Sequence, residues 1–75
     1  MEQAVRLEVE ITEVFGRSNR TFSFNHDGRK AYCFIAADAE DVPPLARRIR
    51  LAIEGEWSSA LLQVFSAASA SLIED

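Results

Sequence analysis

Few side chains in this sequence could take part in catalysis. His26 is the only histidine, and it stands beside the Asp27-Gly28 dipeptide, where an exposed polar residue is common. A general base there needs a positioned partner, and Asp27 is a turn-forming residue by its own chemistry. Cys33 is the only cysteine, and the sequence places no histidine or helix N-terminus where it would lower the pKa of the thiol. We therefore expect a protein that is not an enzyme.

The sequence also lacks the ligand patterns of metal and cofactor sites. One histidine and one cysteine do not make a zinc site. The acidic segment Asp38-Ala39-Glu40-Asp41 has neither the spaced oxygen ligands nor the central glycine of a calcium loop. Three glycines scattered at positions 16, 28 and 55 do not form a phosphate-binding loop. We expect no metal and no cofactor.

Length and charge restrict the remaining functions. The 75 residues predict one domain spanning 1–75. A net charge of −4 disfavours attraction to nucleic acid or anionic membrane and favours a partner with a basic surface. A single cysteine allows no internal disulfide, the first residues do not resemble a signal peptide, and no apolar run approaches a membrane span. A cytoplasmic location is expected.

The clearest structural prediction is a β-hairpin over residues 20–36. Asp27-Gly28 suits a two-residue type I′ turn between strands at about 20–26 and 29–36. In that register Phe24 faces Ala31 and Phe22 faces Cys33. One side of the hairpin is then apolar, formed by Phe22, Phe24, Ala31, Cys33 and Ile35. The other side, expected to face water, still carries Tyr32 and Phe34.

An alternating segment precedes this hairpin. Val5, Leu7, Val9 and Ile11 alternate with polar residues and predict a strand over about 4–14. The alternation slips after Ile11, which indicates a bulge or the end of the strand there. A turn over 16–20 follows. The sequence thus predicts a three-stranded antiparallel meander.

The C-terminal half predicts helices. Leu45, Ile49, Ala52 and Ile53 fall on one helical stripe. The residues that extend this stripe are Trp57, Leu61, Val64, Phe65, Ala68 and Leu72. Gly55 could end a first helix at about 44–54 before a second at about 58–73, or it could lie within one long kinked helix. Either way the expected class is α+β, with helices packed on one face of the meander.

A chain this short is marginally stable as a monomer, so we expect a homodimer. The Tyr32 and Phe34 side is the first candidate contact surface, since exposed aromatic residues are typical interface anchors. Acidic residues that could meet a basic partner are Glu8, Glu10, Asp38, Glu40 and Asp41. The expected function is therefore non-enzymatic protein binding. The alternative is a nucleic-acid-binding accessory protein that uses a helix carrying Arg47, Arg48 and Arg50.

In size and layout the chain resembles small phage-encoded anti-defence inhibitors of the anti-CRISPR type. The features that carry the resemblance are the Asn25-His26-Asp27-Gly28-Arg29-Lys30 hairpin, the acidic segment from Asp38 to Asp41 and the missing catalytic set. The resemblance implies a viral inhibitor that binds its target stoichiometrically and occludes a basic surface. It assigns no role to any single residue.

Overall fold

A computed structural model describes residues 4–16 and 20–73 of the chain. These residues form six β-strands and no helix. The strands are β1 (Val5–Glu10), β2 (Glu13–Phe15), β3 (Thr21–His26), β4 (Arg29–Ile35), β5 (Arg50–Ser59) and β6 (Val64–Leu72). The predicted α+β class is therefore wrong, because the described part of the chain is all-β. No helix capable of crossing a membrane occurs in it.

The six strands form one curled mixed sheet in the order β1-β5-β6-β4-β3-β2. Neighbouring strands are antiparallel except β4 and β6, which run parallel. Curling turns one face of every strand toward a shared interior. The largest fully buried side chains of this core are Phe22, Phe24, Phe65, Ile11, Leu51 and Ile53.

The chain passes from one edge of the sheet to the other at Ile11 and Thr12. The amide of Ile11 donates to the carbonyl of Ile49, 2.9 Å away, which continues the pairing of β1 with β5. The amide of Thr12 donates to the carbonyl of Ser23, also at 2.9 Å, and begins the pairing of β2 with β3. The predicted strand over 4–14 is thus two strands, and the slip in its alternation marks the crossing.

When β1 and β2 are counted as one bent strand, the sheet resembles the OB type, a five-stranded and partly open Greek-key barrel. The bent strand pairs with β5 through its first half and with β3 through its second half. Because one barrel architecture hosts many unrelated functions, this likeness assigns none.

The β3–β4 hairpin has the predicted register. Phe24 faces Ala31 and Phe22 faces Cys33, and the five residues predicted for the apolar side are buried. Asp27 and Gly28 have φ values of 52° and 75°, the left-handed pair that a type I′ turn requires. Of the turn predicted over 16–20, residues 17–19 lie outside the described residues.

The helices predicted at 44–54 and 58–73 do not form. Residues 36–49 are a loop whose Leu45 is buried against the core, followed by the two long strands β5 and β6. In β5 every second residue from Leu51 to Gly55 is buried, and Glu54 and Glu56 on either side of Gly55 are exposed, which is strand periodicity. Ala52 is also buried. Because Ala52 and Ile53 are adjacent apolar residues, they fit a helical stripe, and the sequence therefore predicted a helix here.

In β6 an irregularity hides the strand pattern. Gly55 pairs with Ala67 while Glu54 pairs with Ser69, so Ala68 is an extra residue between them. The buried positions therefore fall at 65, 67 and 70, a spacing that breaks simple alternation. The turn before β6 contains no Gly, Pro, Asn or Asp, and its left-handed residue is Gln63, with φ 51°. Sequence signals for a second hairpin were thus weak.

Candidate protein-binding surface

Three aromatic side chains lie together on the outer side of the sheet, and we call them the aromatic face. Tyr32 and Phe34 come from β4, and Phe15 comes from β2. The Phe15 and Tyr32 rings are in contact, with centroids 6.1 Å apart and planes tilted by 45°. Phe34 is 49% exposed. An aromatic ring held half in water on a rigid strand is available to contact another molecule.

Strand geometry places these rings outside. Ala31, Cys33 and Ile35 point into the core, so the alternate residues Tyr32 and Phe34 point outward. Pairing of β2 with β3 then sets Phe15 opposite Thr21, and Thr21 is in turn opposite Phe34. The sequence predicted Tyr32 and Phe34 on this side but missed Phe15. The signal for Phe15 was the Val14-Phe15 pair: with Val14 placed opposite the buried Phe22, Phe15 falls on the outer side.

Charges around the aromatic face balance one another. The Lys30 ammonium lies 5.9 Å from the centroid of the Tyr32 ring and 3.8 Å from a carboxylate oxygen of Glu13. At the other end of β4, the Arg20 guanidinium donates a 2.7 Å hydrogen bond to the carbonyl of Ala36. On β5, Glu56 is paired with Ser66 of β6, and Ser66 is in turn paired with Phe34 of β4. The surface is therefore aromatic and close to neutral.

A groove of about 370 Å³ adjoins the aromatic face. Its lining comes from Ala4, Ala36, Gly55, Glu56, Ser66, Ala67 and Ala68. Ser66 is the direct neighbour of Phe34 in the β4–β6 pairing, so Phe34 stands at the edge of the groove. The depression exists because its exposed lining residues on β6, Ser66 and Ala68, have small side chains.

The acidic residues predicted to bind a partner do not join the aromatic face. Glu8 and Glu10 are exposed on β1, which is separated from β4 by β6 and β5. Glu8 forms a 2.9 Å ion pair with Arg6. The three others, Asp38, Glu40 and Asp41, are exposed in the 36–49 loop that follows β4. The seven predicted contact residues thus occupy three regions.

The three arginines of the alternative prediction do not lie on a helix. The Arg47 side chain donates to the carbonyl of Thr12 over 3.2 Å, and Arg48 occupies a turn with φ 73°. Arg50 begins β5 opposite Glu10. The predicted helix that would carry these arginines is therefore wrong, whereas nucleic-acid binding itself stays a prediction.

His26 and Cys33 lie in different environments. The His26 ring packs on Trp57 with centroids 5.0 Å apart, and its Nε2 is 3.6 Å from a carboxylate oxygen of Asp27. Cys33 is buried, and burial raises the pKa of its thiol to about 12. Among the described residues no three His, Cys, Asp or Glu side chains converge as a metal site would require.

A depression of about 180 Å³ lies beside His26, between the two hairpin turns. It is lined by His26, Asp27, Trp57, Ala60 and Gln63. These residues include no cysteine or hydroxyl side chain that His26 could activate as a nucleophile. The aromatic face and the groove offer exposed apolar surface that another molecule could contact. Comparison with protein families, with curated proteins and with solved structures finds no match for this chain.

Proposed function

We propose that this protein is a non-enzymatic protein-binding module anchored by the aromatic face. The observation that carries the proposal is the ring of Phe34, half exposed on a rigid strand and flanked by a groove. Aromatic side chains bury large areas at little cost in conformational entropy, which is why they dominate the binding energy of protein interfaces.

The charges favour a protein over a polynucleotide as partner. Aromatic rings on a barrel surface can also stack with the bases of single strands, and OB-type barrels include oligonucleotide binders. That mode draws much of its affinity from cations that contact phosphates. Here Lys30 is already paired with Glu13, and the whole chain carries a net charge of −4. Single-stranded nucleic acid is accordingly the second candidate.

In this proposal the module acts by occlusion. The aromatic face supplies the buried centre of the contact. The acidic residues Asp38, Glu40 and Asp41 follow directly after β4 and would meet a basic rim of the target. Inhibition of a target, as in the phage anti-defence proteins that the sequence resembles, is the form of occlusion we propose.

A capture experiment with matched variants tests the proposal. Tagged protein is incubated with nuclease-treated bacterial lysate, and bound proteins are identified and quantified. Phe34→Thr removes the exposed ring but keeps a residue suited to strands. Leu72→Thr is the control, because Leu72 is 47% exposed on β6 yet lies away from the aromatic face.

The proposal requires one stoichiometric protein partner whose capture falls at least about tenfold in the Phe34 variant and stays unchanged in the Leu72 variant. Equal capture by all three proteins would contradict it. Capture that occurs in a parallel lysate left without nuclease, and that disappears after nuclease treatment, would favour the second candidate instead.

A further inference from the structure

We infer that the open end of the sheet, between its two hairpin turns, recognises an arginine side chain carried by an apolar peptide segment of a partner protein. The site is the depression lined by His26, Asp27, Trp57, Ala60 and Gln63. It shares no residue with the aromatic face and leaves that face free. The inference rests on the proposed function only in taking the partner to be a protein with a basic surface.

The depression is the mouth of the curled sheet. Phe22, Phe24 and His26 are alternate residues of β3, so His26 continues the core side of that strand to its last residue. Trp57 likewise packs against the core near the end of β5. Ligands often bind in the mouths of β-barrels, where side chains from facing strands converge.

The groups that converge there are acceptors and an aromatic ring. The Asp27 carboxylate is 86% exposed, and its oxygen lies 3.6 Å from Nε2 of His26, farther than a hydrogen bond. The Gln63 amide nitrogen donates to the carbonyls of His26 and Lys30, so the amide offers a ligand its oxygen. Trp57 is half-buried and lines the site, and indole attracts cations more strongly than other aromatic rings. This combination favours a cation with several N–H donors.

Arginine fits these groups better than lysine. Its guanidinium is planar, stacks on aromatic rings and can donate two parallel hydrogen bonds to one carboxylate. The Asp27 carboxylate and the Trp57 ring supply both kinds of contact on one depression. A cavity of about 150 Å³ can hold benzene, so a depression of about 180 Å³ has room for the smaller guanidinium.

The turn that forms one wall of the site indicates an apolar neighbour for the arginine. Leu61 and Leu62 are 81% and 67% exposed on this turn. Their backbone is held in place, because the amide of Leu62 donates to the Ser59 hydroxyl at 3.2 Å and the amide of Gln63 donates to the Ala60 carbonyl at 3.3 Å. Two exposed leucines on a fixed turn can contact the apolar residues beside the arginine.

Two charges at this end of the sheet give the inference a test of sign. Asp27 lines the site, whereas Arg29 is exposed beside it, directly opposite His26 in the hairpin. Lys30 is paired with Glu13 at 3.8 Å. Because Asp27 attracts a bound cation and Arg29 repels it, removal of the two charges must change the affinity in opposite directions.

Titration of the whole chain with a short acetylated peptide, in which one arginine lies between two leucines, tests the inference. The peptide concentration runs from about 10 µM to about 10 mM, and the fluorescence of Trp57, the only tryptophan, reports occupancy. The same peptide with citrulline, which resembles arginine in shape but is neutral, should bind at least about fivefold more weakly. N-acetylarginine amide, which lacks the leucines, should also bind more weakly than the arginine peptide.

Matched variants locate the binding site. Asp27→Asn keeps a dipeptide that type I′ turns favour, and it should weaken binding of the arginine peptide at least about fivefold. Arg29→Ala should strengthen that binding about twofold. Glu10→Gln is the control, because it removes one negative charge opposite Arg50, at the other end of β5, and should leave the affinity unchanged. Replacing Leu61 and Leu62 together by serine should weaken binding of the peptide but not of N-acetylarginine amide.

Several results would overturn the inference. These are a wild type without a saturable signal, equal affinity for the arginine and citrulline peptides, and an Asp27→Asn variant that binds as tightly as wild type or more tightly. N-acetylarginine amide binding as tightly as the peptide would overturn the peptide segment as the source of the guanidinium. The capture experiment with Phe34→Thr is independent. If that capture succeeds and the peptide does not bind, the proposed function stands, and the reverse outcome rejects the aromatic face alone.

Discussion

Gly55 and Ser66 lie on paired strands so close together that a β-carbon on Gly55 would stand 1.9 Å from the carbonyl oxygen of Ser66. No side chain fits that space, because the obstacle is backbone and cannot rotate away. Gly55 thus allows β5 and β6 to approach at the irregular point of their pairing. The sequence predicted Gly55 at the end of a helix or within one. In the structure it is the residue that the close pairing of β5 and β6 requires.

Replacing Gly55 by alanine should lower the free energy of unfolding by about 2–4 kcal/mol, because the two strands must separate to admit the methyl group. Gly28→Ala is the matched control. Nothing lies within 4 Å of a β-carbon there, and its φ of 75° is the source of strain, worth about 1–2 kcal/mol. Urea titration followed by the fluorescence of Trp57, the only tryptophan, measures both. Equal losses in the two variants would show that close strand approach is unimportant at Gly55.

The Cys33 thiol should be almost inert in the folded protein. It is fully buried in the core, and burial raises its pKa to about 12, so little reactive thiolate exists near neutral pH. Modification by an aromatic disulfide reagent should be at least about a thousandfold slower in native buffer than in denaturant, because the chain must open first. Rapid modification of native protein at pH 7 would mean that β4 is accessible.

The same burial predicts a loss of stability in alkali. The ordinary pKa of the thiol is 9.0, and the folded value is about 12. Ionisation therefore favours the unfolded chain, so the contribution of Cys33 is intact below pH 9 and decreases as the pH rises from about 9 to about 12. Unfolding of wild type and Cys33→Ala across that range isolates this contribution from other titrating groups. The wild type should lose more stability than the variant, and parallel curves would contradict the prediction.

Thr12 and Ser23 should be energetically coupled. Their hydroxyl oxygens are 2.7 Å apart, at the point where the chain crosses from β1 to β2, and Ser23 is fully buried. Thr12→Val and Ser23→Ala should each cost about 1 kcal/mol. The double variant should cost less than their sum by about 0.5–1 kcal/mol, since the bond can be lost only once. Additive losses in the double-mutant cycle would indicate that the hydroxyls contribute independently.

Gln63 joins the two hairpin turns through its side-chain amide. Its Nε2 donates to the carbonyls of Lys30, at 3.2 Å, and His26, at 3.5 Å. Gln63→Glu would place a buried carboxylate against these two acceptors, and the cost at neutral pH should be about 2 kcal/mol. A protonated acid can still donate, and burial raises the pKa of this carboxyl above the value of about 4.3 for an exposed glutamate, so the cost should shrink as the pH falls toward about 4.3. Gln63→Met, which has no charge to titrate, is the control and should show no such recovery.

Local signals made the first half of the fold predictable. The Asp27-Gly28 turn determines the β3–β4 register from residues within the hairpin itself. The alternation from Val5 to Ile11 likewise reports a strand directly. The crossing at Thr12 was visible only as a slip in that alternation, because its cause is a bond to Ser23, on another strand.

The second half was not predictable in the same way. β5 pairs with β1 across 40 residues or more, as in Glu10 with Arg50, and no local pattern records such a pairing. Alanines at 52, 67 and 70 fit the buried face of a helix as well as that of a strand. Tertiary pairing decided between the two readings.

The candidate surface was likewise predictable only where it depends on local sequence signals. Tyr32 and Phe34 followed from the hairpin register alone. Phe15 and the groove depend on the β2–β3, β4–β6 and β5–β6 pairings, so the sequence could not assemble them. The acidic residues were recognised individually, but their distribution over β1 and the loop required the topology.

The crossing at Ile11 and Thr12 also determines the order in which the chain can fold. The β3–β4 hairpin closes over a short loop, whereas β1 has no partner until residues 50–55 are available. During synthesis the first of these strands therefore has no partner until β5 is made, and its apolar side chains Val5, Leu7 and Val9 stay uncovered while about 40 further residues are added. The acidic side chains of Glu8 and Glu10 on this unpaired strand repel the same strand of another nascent chain and so oppose aggregation.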